Sequence, residues 1–473
     1  MSRLYASLLR LFLCGLLAVT APFAWADRGR DGGDRDDRDA SESGGERGGA
    51  DRDRADSDQD YGGEGSESRD YDDNDADYGG EGGEGGDYSE AGDDDGPSEN
   101  SGSGNSGHGH GGKDDPVHRH GRHGRALDHH ERISVSRNDL GERVRAGEAI
   151  MLTHRADIAR RLERRDLRVV ESFRLEAIDA TAVRVAVPAG MSERQLFDTL
   201  HKVDPKSIVT FNHVYDPSGA PSMLTAVRSS VRSRVRAKVG LVDAAVDAKH
   251  PMLQQVSVTA RSFDPVPKAL PDAHGTAVAS VIAEAAPGAT VYAANVFTLS
   301  TDGREIATAD AIVRGLDWLA TMRIAVINLS LTGPANPVLE AMIKRLNAKG
   351  HILVAAVGNE GPRGAAQYPA AYDKVVGVTA VDGKNRVYLY ANHGDYVDFA
   401  AQGVDLRVAD PQGSTDTVSG TSYASPIVAA KLAGSLDTPD VQRAAAAVRA
   451  LTAEARDLGA PGRDPIYGHG LID

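Results

Sequence analysis

Apolar runs separated by longer mixed segments mark the chain from residue 238 onward, a pattern typical of buried parallel strands with helical connections. Predicted strands lie at 239–242, 291–297, 324–331, 352–357, 375–381 and 397–401. Predicted helices lie at 274–285, 306–320, 336–348, 422–432 and, with Thr438 as cap and Pro439 at the first position, 441–453. The pattern predicts one α/β domain over 238–473, with a mostly parallel sheet and helices on both faces.

A shorter alternation of strand and helix signals precedes this domain, over residues 139–219. Strand patterns lie at 149–152, 167–173, 182–187 and 208–214, and a helix pattern covers 156–164. Ser192 and Gln195 form a capping-box signature that opens a second helix, which runs to residue 200. The order β-α-β-β-α-β predicts a small ferredoxin-like α+β domain.

Residues 220–237 separate the two predicted domains and end in a basic stretch. A solvated connector and a protease-sensitive junction fit this composition about equally well. The segment is therefore a candidate processing region.

The region 27–138 has too few apolar residues to form a core. Residues 27–112 contain no Leu, Ile, Val, Phe, Met or Trp, and they carry 28 Asp and Glu against 8 Arg. This segment has a net charge of −20 and the whole chain has −16, so the excess of acidic residues lies in residues 27–112. We predict an acidic, disordered tail followed by a His-rich stretch. A solvated linker is favoured for the His-rich stretch over weak binding of divalent metals.

Residues 1–26 have the pattern of a signal peptide. Arg3 and Arg10 precede an apolar core at 11–19, and a small-x-small site at 24–26 follows. Later apolar stretches are too short to span a bilayer, so we expect no membrane span after cleavage and a secreted or periplasmic protein. Basic residues are interleaved with acidic ones, which argues against a nucleic-acid partner.

Polar residues stand beside the predicted elements at four points that together suit nucleophilic catalysis. Ser422 lies between a glycine turn and a small-residue helix, where free N–H groups favour a developing anion. A serine nucleophile needs a base, and a carboxylate that fixes the tautomer of that base. His274 opens a small-residue helix and Asp243 ends an apolar run, so Asp243, His274 and Ser422 are the candidate catalytic residues. The Asn359 amide and the Ser422 backbone N–H are the candidate oxyanion donors.

These residues and their neighbours resemble the subtilisin-like serine peptidases. The order Asp, His, Ser is the order in that family. The resemblance covers most of 238–473 and rests on four segments, VGLVD at 239–243, HGT at 274–276, VGNEG at 357–361 and GTSYASP at 420–426.

The resemblance also implies substrate-binding elements and a propeptide. Ser330 and Leu331 lie in a segment similar to the edge strand that pairs with the substrate backbone, and Ala356 and Gly358 in one similar to a pocket wall. We expect those walls to leave a roomy apolar pocket, and we interpret Tyr423 as a packing residue. The 139–219 domain resembles an inhibitory propeptide, which would act as an intramolecular inhibitor.

The sequence thus favours an exported serine endopeptidase that is made as a zymogen and acts on proteins or peptides. No cofactor is expected to be required; calcium is compatible with the family, but no calcium site is identifiable. The alternative is a catalytically weak, peptidase-like extracellular binding protein that uses its acidic and His-rich tail.

Overall fold

The computed structural model describes residues 132–221, 237–263 and 273–473, all within one compact unit, Asp115–Asp473. The predicted signal peptide, most of the predicted disordered region and residues 222–236 of the predicted linker lie outside the described residues.

The amino-terminal domain is an antiparallel sheet with helices on one face. The elements are β1 Val135–Arg137, β2 Arg143–Thr153, α1 Ile158–Glu163, β3 Val169–Leu175, β4 Ala180–Ala186, α2 Glu193–Val203 and β5 Ile208–Pro217. The sheet order is β5-β2-β4-β3, with β1 added along β2. The Ser192 side chain accepts a hydrogen bond from Gln195 N–H, so the predicted capping box is confirmed.

Both faces of this sheet are buried, although only one carries the domain's own helices. Met151 and Val183 pack under α1 and α2, whereas Ile150 and Ala182 belong to a core shared with the carboxy-terminal domain. Because side chains alternate along a strand, the second face must be covered by another surface. The carboxy-terminal domain is that surface.

The carboxy-terminal domain is built on a parallel sheet. Its strands, after a short β6 at Ala220–Pro221, are β7 Lys238–Asp243, β8 Ser257–Ser262, β9 Thr290–Asn295, β10 Phe297–Leu299, β11 Glu305–Thr308, β12 Val326–Leu329, β13 Leu331–Thr332, β14 Ile352–Ala356, β15 Val375–Val381, β16 Phe399–Gln402, β17 Leu406–Ala409 and β18 Thr415–Ser419. The order in the parallel sheet is β16-β15-β14-β12-β7-β9-β8. The helices are α3 Ala273–Ala285, α4 Ala309–Thr321, α5 Pro337–Ala348, α6 Thr421–Ala433 and α7 Val441–Glu454.

Helices cover both faces of this sheet, as predicted. In β14, Ile352 and Val354 face the core formed by α3, α6 and α7, while Leu353 and Ala355 face α4 and α5. The two cores explain why the parallel strands read as continuous apolar runs. Within the described residues, no helix is long and apolar enough to cross a membrane.

Three element predictions were wrong. The helix predicted from residue 306 begins at Ala309, because Glu305–Thr308 is a strand held between β10 and β5. Thr438 does not cap α7; the Asp440 side chain does, by accepting from Arg443 N–H. The predicted strand at 324–331 is split into β12 and β13, which lie in different sheets.

One strand of the amino-terminal domain is also part of the carboxy-terminal domain's cleft. The end of β5 lies between β11 and β13, antiparallel to both. The chain then reaches β6, which pairs with β18. The segment from β5 to β6 therefore crosses the carboxyl-end edge of the parallel sheet, where ligands of such sheets bind.

Candidate active site

Asp243, His274 and Ser422 form a hydrogen-bonded line. His274 Nδ1 lies 2.8 Å from Asp243 Oδ1, and His274 Nε2 lies 3.2 Å from Ser422 Oγ. Asp243 and Ser422 are fully buried and His274 is 7% exposed. Asp243 Oδ1 also accepts the Ala244 backbone N–H at 2.7 Å. A carboxylate oxygen held as an acceptor on Nδ1 favours the tautomer that leaves Nε2 free to take a proton from Ser422.

Local backbone packing places the histidine and the serine. A Cβ on Gly275 would lie 2.3 Å from the Ala244 carbonyl oxygen, so glycine lets α3 start directly against the end of β7. At the other helix start, Ser330 Oγ donates to the Ser422 carbonyl at 2.9 Å, and Asn328 Nδ2 donates to Ser330 Oγ at 2.7 Å. These bonds fix the first turn of α6, and with it the nucleophile.

Asn359 is oriented by the residue before the nucleophile. Its Oδ1 accepts the backbone N–H and the hydroxyl of Thr421, each at 3.1 Å, so its Nδ2 is directed into the cleft. There it donates to Ser218 Oγ at 3.1 Å, and the Ser422 backbone N–H donates to the Ser218 carbonyl at 3.0 Å. Both expected oxyanion donors thus contact the same residue of the crossing segment. Thr421 was not singled out in the sequence.

The crossing segment lies as an extended strand along the cleft. Asp216 pairs with Thr332 and Pro217 with Leu331, and the Ser218 N–H reaches the Ser330 carbonyl at 3.4 Å. The predicted edge-strand residues, Ser330 and Leu331, therefore do line this segment. The Ser218–Gly219 peptide is placed over Ser422.

Tyr215, three residues before Ser218, fills a closed pocket. It is fully buried, its hydroxyl donates to the Pro334 carbonyl at 3.0 Å, and a Cβ on Gly333 would lie 2.5 Å from its Cδ1. Burial raises the pKa of the Tyr215 phenol, which keeps it a neutral donor. The pocket is thus shaped around an aromatic ring.

The other two predicted wall residues differ in position. Ala356 is buried within the sheet, opposite Val378 of β15, whereas Gly358 lies beside the cleft and donates its N–H to Thr421 Oγ1. Gln367 packs directly against Gly358, because a Cβ there would lie 2.7 Å from Gln367 Cγ. Gln367 Nε2 is tethered to Glu360 Oε2 at 2.8 Å, and both line a cavity of about 800 Å³ next to Ser218.

A buried ion cluster joins the amino-terminal domain to α4. Arg184 Nη1 lies 3.2 Å from Asp310 Oδ2, and these residues are 6% and 3% exposed. Asn212 Nδ2 donates to Asp310 Oδ1 at 2.8 Å, and Arg314 approaches Asp310 at 3.8 Å. Burial by itself would raise the pKa of Asp310, but Arg184, Thr308, Asn212 and Arg314 hold it below its ordinary value.

A second polar contact across the domains involves His213. Asn336 Oδ1 caps α5 by accepting from Val338 and Leu339 N–H, so Asn336 Nδ2 must be the donor to His213 Nδ1, at 2.9 Å. His213 Nε2 faces Glu142 at 3.0 Å. Burial lowers the pKa of His213 despite the opposing effect of Glu142. The contact therefore requires a neutral imidazole.

Within the described ranges, no group of three or more His, Cys, Asp or Glu is arranged to hold a metal ion. The calcium expectation stays untested.

The chain is similar to known proteins in family, sequence and fold. Residues 236–470 match the subtilase family. Subtilisin DY from Bacillus licheniformis is 32% identical over 251 residues, which is 50% of this chain and 88% of that protein. Subtilisin E from Bacillus subtilis (strain 168) is 30% identical over 249 residues, 49% of this chain and 63% of that protein. Fervidolysin from Fervidobacterium pennivorans, a keratinolytic enzyme related to subtilisin, has a similar fold, with a TM-score of 0.58 and 21% identity over 72% of this chain and 62% of that one. The chain therefore belongs to the subtilase family of serine peptidases.

Proposed function

We propose that this protein is a serine endopeptidase that hydrolyses peptide bonds through an acyl-enzyme on Ser422. The observation that carries the proposal is the hydrogen-bonded line from Asp243 through His274 to Ser422, at 2.8 and 3.2 Å. A base within reach of the serine and a carboxylate behind the base are the two requirements of an activated hydroxyl.

The chemistry follows from these contacts. His274 Nε2 takes the proton of Ser422 Oγ as that oxygen attacks the substrate carbonyl carbon, and Asp243 stabilises the resulting imidazolium. The negative charge on the carbonyl oxygen is met by the Ser422 N–H and the Asn359 amide. His274 then gives its proton to the leaving amine, and water hydrolyses the ester by the same steps.

We further propose that the protein is made as a zymogen, with the amino-terminal domain as its inhibitory propeptide. The support is the position of Ser218. Its N–H donates to the Ser330 carbonyl and its carbonyl accepts from the Ser422 N–H, as the residue before the scissile bond of a substrate would. Self-cleavage would occur between Ser218 and Gly219, immediately before the predicted linker at 220–237. The cleaved domain would then stay bound through β5 and block the cleft.

Export to the periplasm or the medium is part of this proposal and rests on the signal-like pattern of residues 1–26. The Bacillus subtilis relative named minor extracellular protease Epr, 32% identical over 209 residues, is consistent with it.

The test is labelling by a fluorophosphonate probe, which reacts with an activated serine. Wild-type protein that has released its amino-terminal domain should be labelled, and Ser422→Ala should not. Ser280→Ala is a control, because Ser280 is another buried serine whose hydroxyl bonds Ala277 and Ala409 and not the active site, and that variant should keep the label. A folded wild type that has released its amino-terminal domain and still resists the probe would refute the peptidase proposal and favour a binding protein on this fold.

A further inference from the structure

Gly219, the residue after Ser218, has no room for a side chain. A Cβ on Gly219 would lie 2.5 Å from Cε2 and 2.8 Å from Cζ of Tyr423, and 2.6 Å from Oγ of Ser422. Optimal separations between carbon atoms are about 3.5–4.0 Å. Gly219 is not among the described glycines with positive φ, so its backbone conformation does not itself demand glycine. Glycine is required here because the neighbouring atoms leave no space for a side chain.

Tyr423 supplies most of that restriction and has little freedom to move away. The residue is 4% exposed and lies in the first turn of α6, directly after the nucleophile. Its ring packs against the His274 ring with centroids 5.5 Å apart. The backbone turn that carries it is fixed by the bond from Ser330 to the Ser422 carbonyl. A displacement of the ring would therefore disturb the base or the nucleophile.

We propose that Tyr423 is a specificity-determining residue that restricts the position after the scissile bond to glycine. The inference rests on the proposed peptidase function and on the placement of Ser218–Gly219 as a substrate. It assigns the substrate class as extended protein segments in which glycine supplies the leaving amine. Tyr423 thus has a role beyond the packing that its sequence position indicates.

The first experiment changes Gly219 and Tyr423, singly and together, in the full-length chain. Wild type, Gly219→Ala, Tyr423→Ala and the double variant are purified, and cleavage after Ser218 is followed by intact mass. With Tyr423 present, alanine at position 219 should slow self-cleavage at least about tenfold, because the added methyl group meets the ring and the nucleophile. With alanine at position 423 the contact with the ring is gone and only the contact with Ser422 Oγ remains, so the penalty for alanine at position 219 should be at least about threefold smaller than with Tyr423 present. An equal penalty for Gly219→Ala in both backgrounds overturns the proposal.

The second experiment does not depend on the stability of the Tyr423 variant. Processed wild-type enzyme is given peptides that share the sequence Tyr-Asp-Pro-Ser before the scissile bond and carry glycine, alanine or leucine after it. We expect kcat/KM to fall at least about tenfold from glycine to alanine and further to leucine. Equal values for the three peptides overturn the proposal. Fluorophosphonate labelling of the same preparations separates this failure from a failure of the proposed function, because the probe needs no group in the position after the scissile bond.

Discussion

Replacing Arg184 by Met should release the amino-terminal domain from the cleaved protein much faster. The substitution keeps a long apolar side chain but removes the guanidinium 3.2 Å from Asp310 Oδ2. Breaking a buried pair from one side costs about 3–5 kcal/mol, since the remaining charge is left without its partner. Arg184 also lies 3.5 Å from Glu148 and 3.4 Å from Glu171 within its own domain. Asp310 keeps its bonds from Thr308 and Asn212 and a longer contact with Arg314, which places the cost near the lower end, at about 3 kcal/mol.

A cost of about 3 kcal/mol corresponds to about a hundredfold change in affinity, and most of that change is expected in the dissociation rate. The assay follows two quantities in one reaction, the cleaved fraction on a gel and the appearance of activity on an added peptide. Cleavage should keep its rate, while the lag before activity should shorten by about a hundredfold. The lag is the informative quantity because the pair joins the two domains.

Two variants control this experiment. Arg174→Met removes an ion pair with the exposed Asp179 within the amino-terminal domain and should change the lag by less than about threefold. Asp310→Asn, added to Arg184→Met, removes the stranded charge and should restore part of the lag. A wild-type lag in Arg184→Met, or no restoration by Asp310→Asn, would show that this ion pair does not control release of the domain.

Three further predictions follow from the site and the interface. Asn359→Ala should lower kcat about 10²–10³-fold with little change in KM, which steady-state kinetics on a peptide would measure; an unchanged kcat would remove Asn359 from the oxyanion site. Burial lowers the pKa of His213 in the bound state, so protonation of this imidazole favours release of the domain. The contact with Asn336 should be intact above the free imidazole pKa of about 6.5 and should weaken as the pH falls below that value. The lag measured at a series of pH values should shorten at acidic pH in wild type but not in His213→Gln. The same pH dependence in both proteins would exclude His213 as the group whose protonation releases the domain. Tyr215→Ala should weaken binding of the cleaved domain by about 3 kcal/mol or more, since it empties a closed pocket. Tyr215→Phe loses only the hydrogen bond to Pro334 and should weaken binding by about 1 kcal/mol. Equal lags for the two variants would count against a role of this pocket in binding.

The sequence was most informative where chemistry imposes a local pattern. Asp243, His274 and Ser422 could be chosen because each stands at the end or start of a recognisable element and because their order matches a known family. The buried parallel strands could be located because both of their faces contact helices, which makes them apolar throughout. By contrast, β8 is largely exposed and polar on its outer edge, and it carries no such signal.

Features that depend on contacts between distant segments could not be read from the sequence. β11 looks like a helix start until its partner β5, about 90 residues earlier, is in place. The restriction imposed by Tyr423 depends on Gly219, about 200 residues earlier. Each of these features depends on contacts between segments far apart in the chain. Periodicity and residue type do not encode distances of that kind.

Intact mass of the full-length protein shows whether the chain cuts itself, when wild type is compared with Ser422→Ala after identical expression and purification. We expect wild type to separate into two pieces divided between Ser218 and Gly219, and Ser422→Ala to remain joined at that bond. The same cleavage in Ser422→Ala would show that another protease cuts there, and an intact Ser218–Gly219 bond in a folded wild type would contradict the assignment of this segment as the enzyme's first substrate.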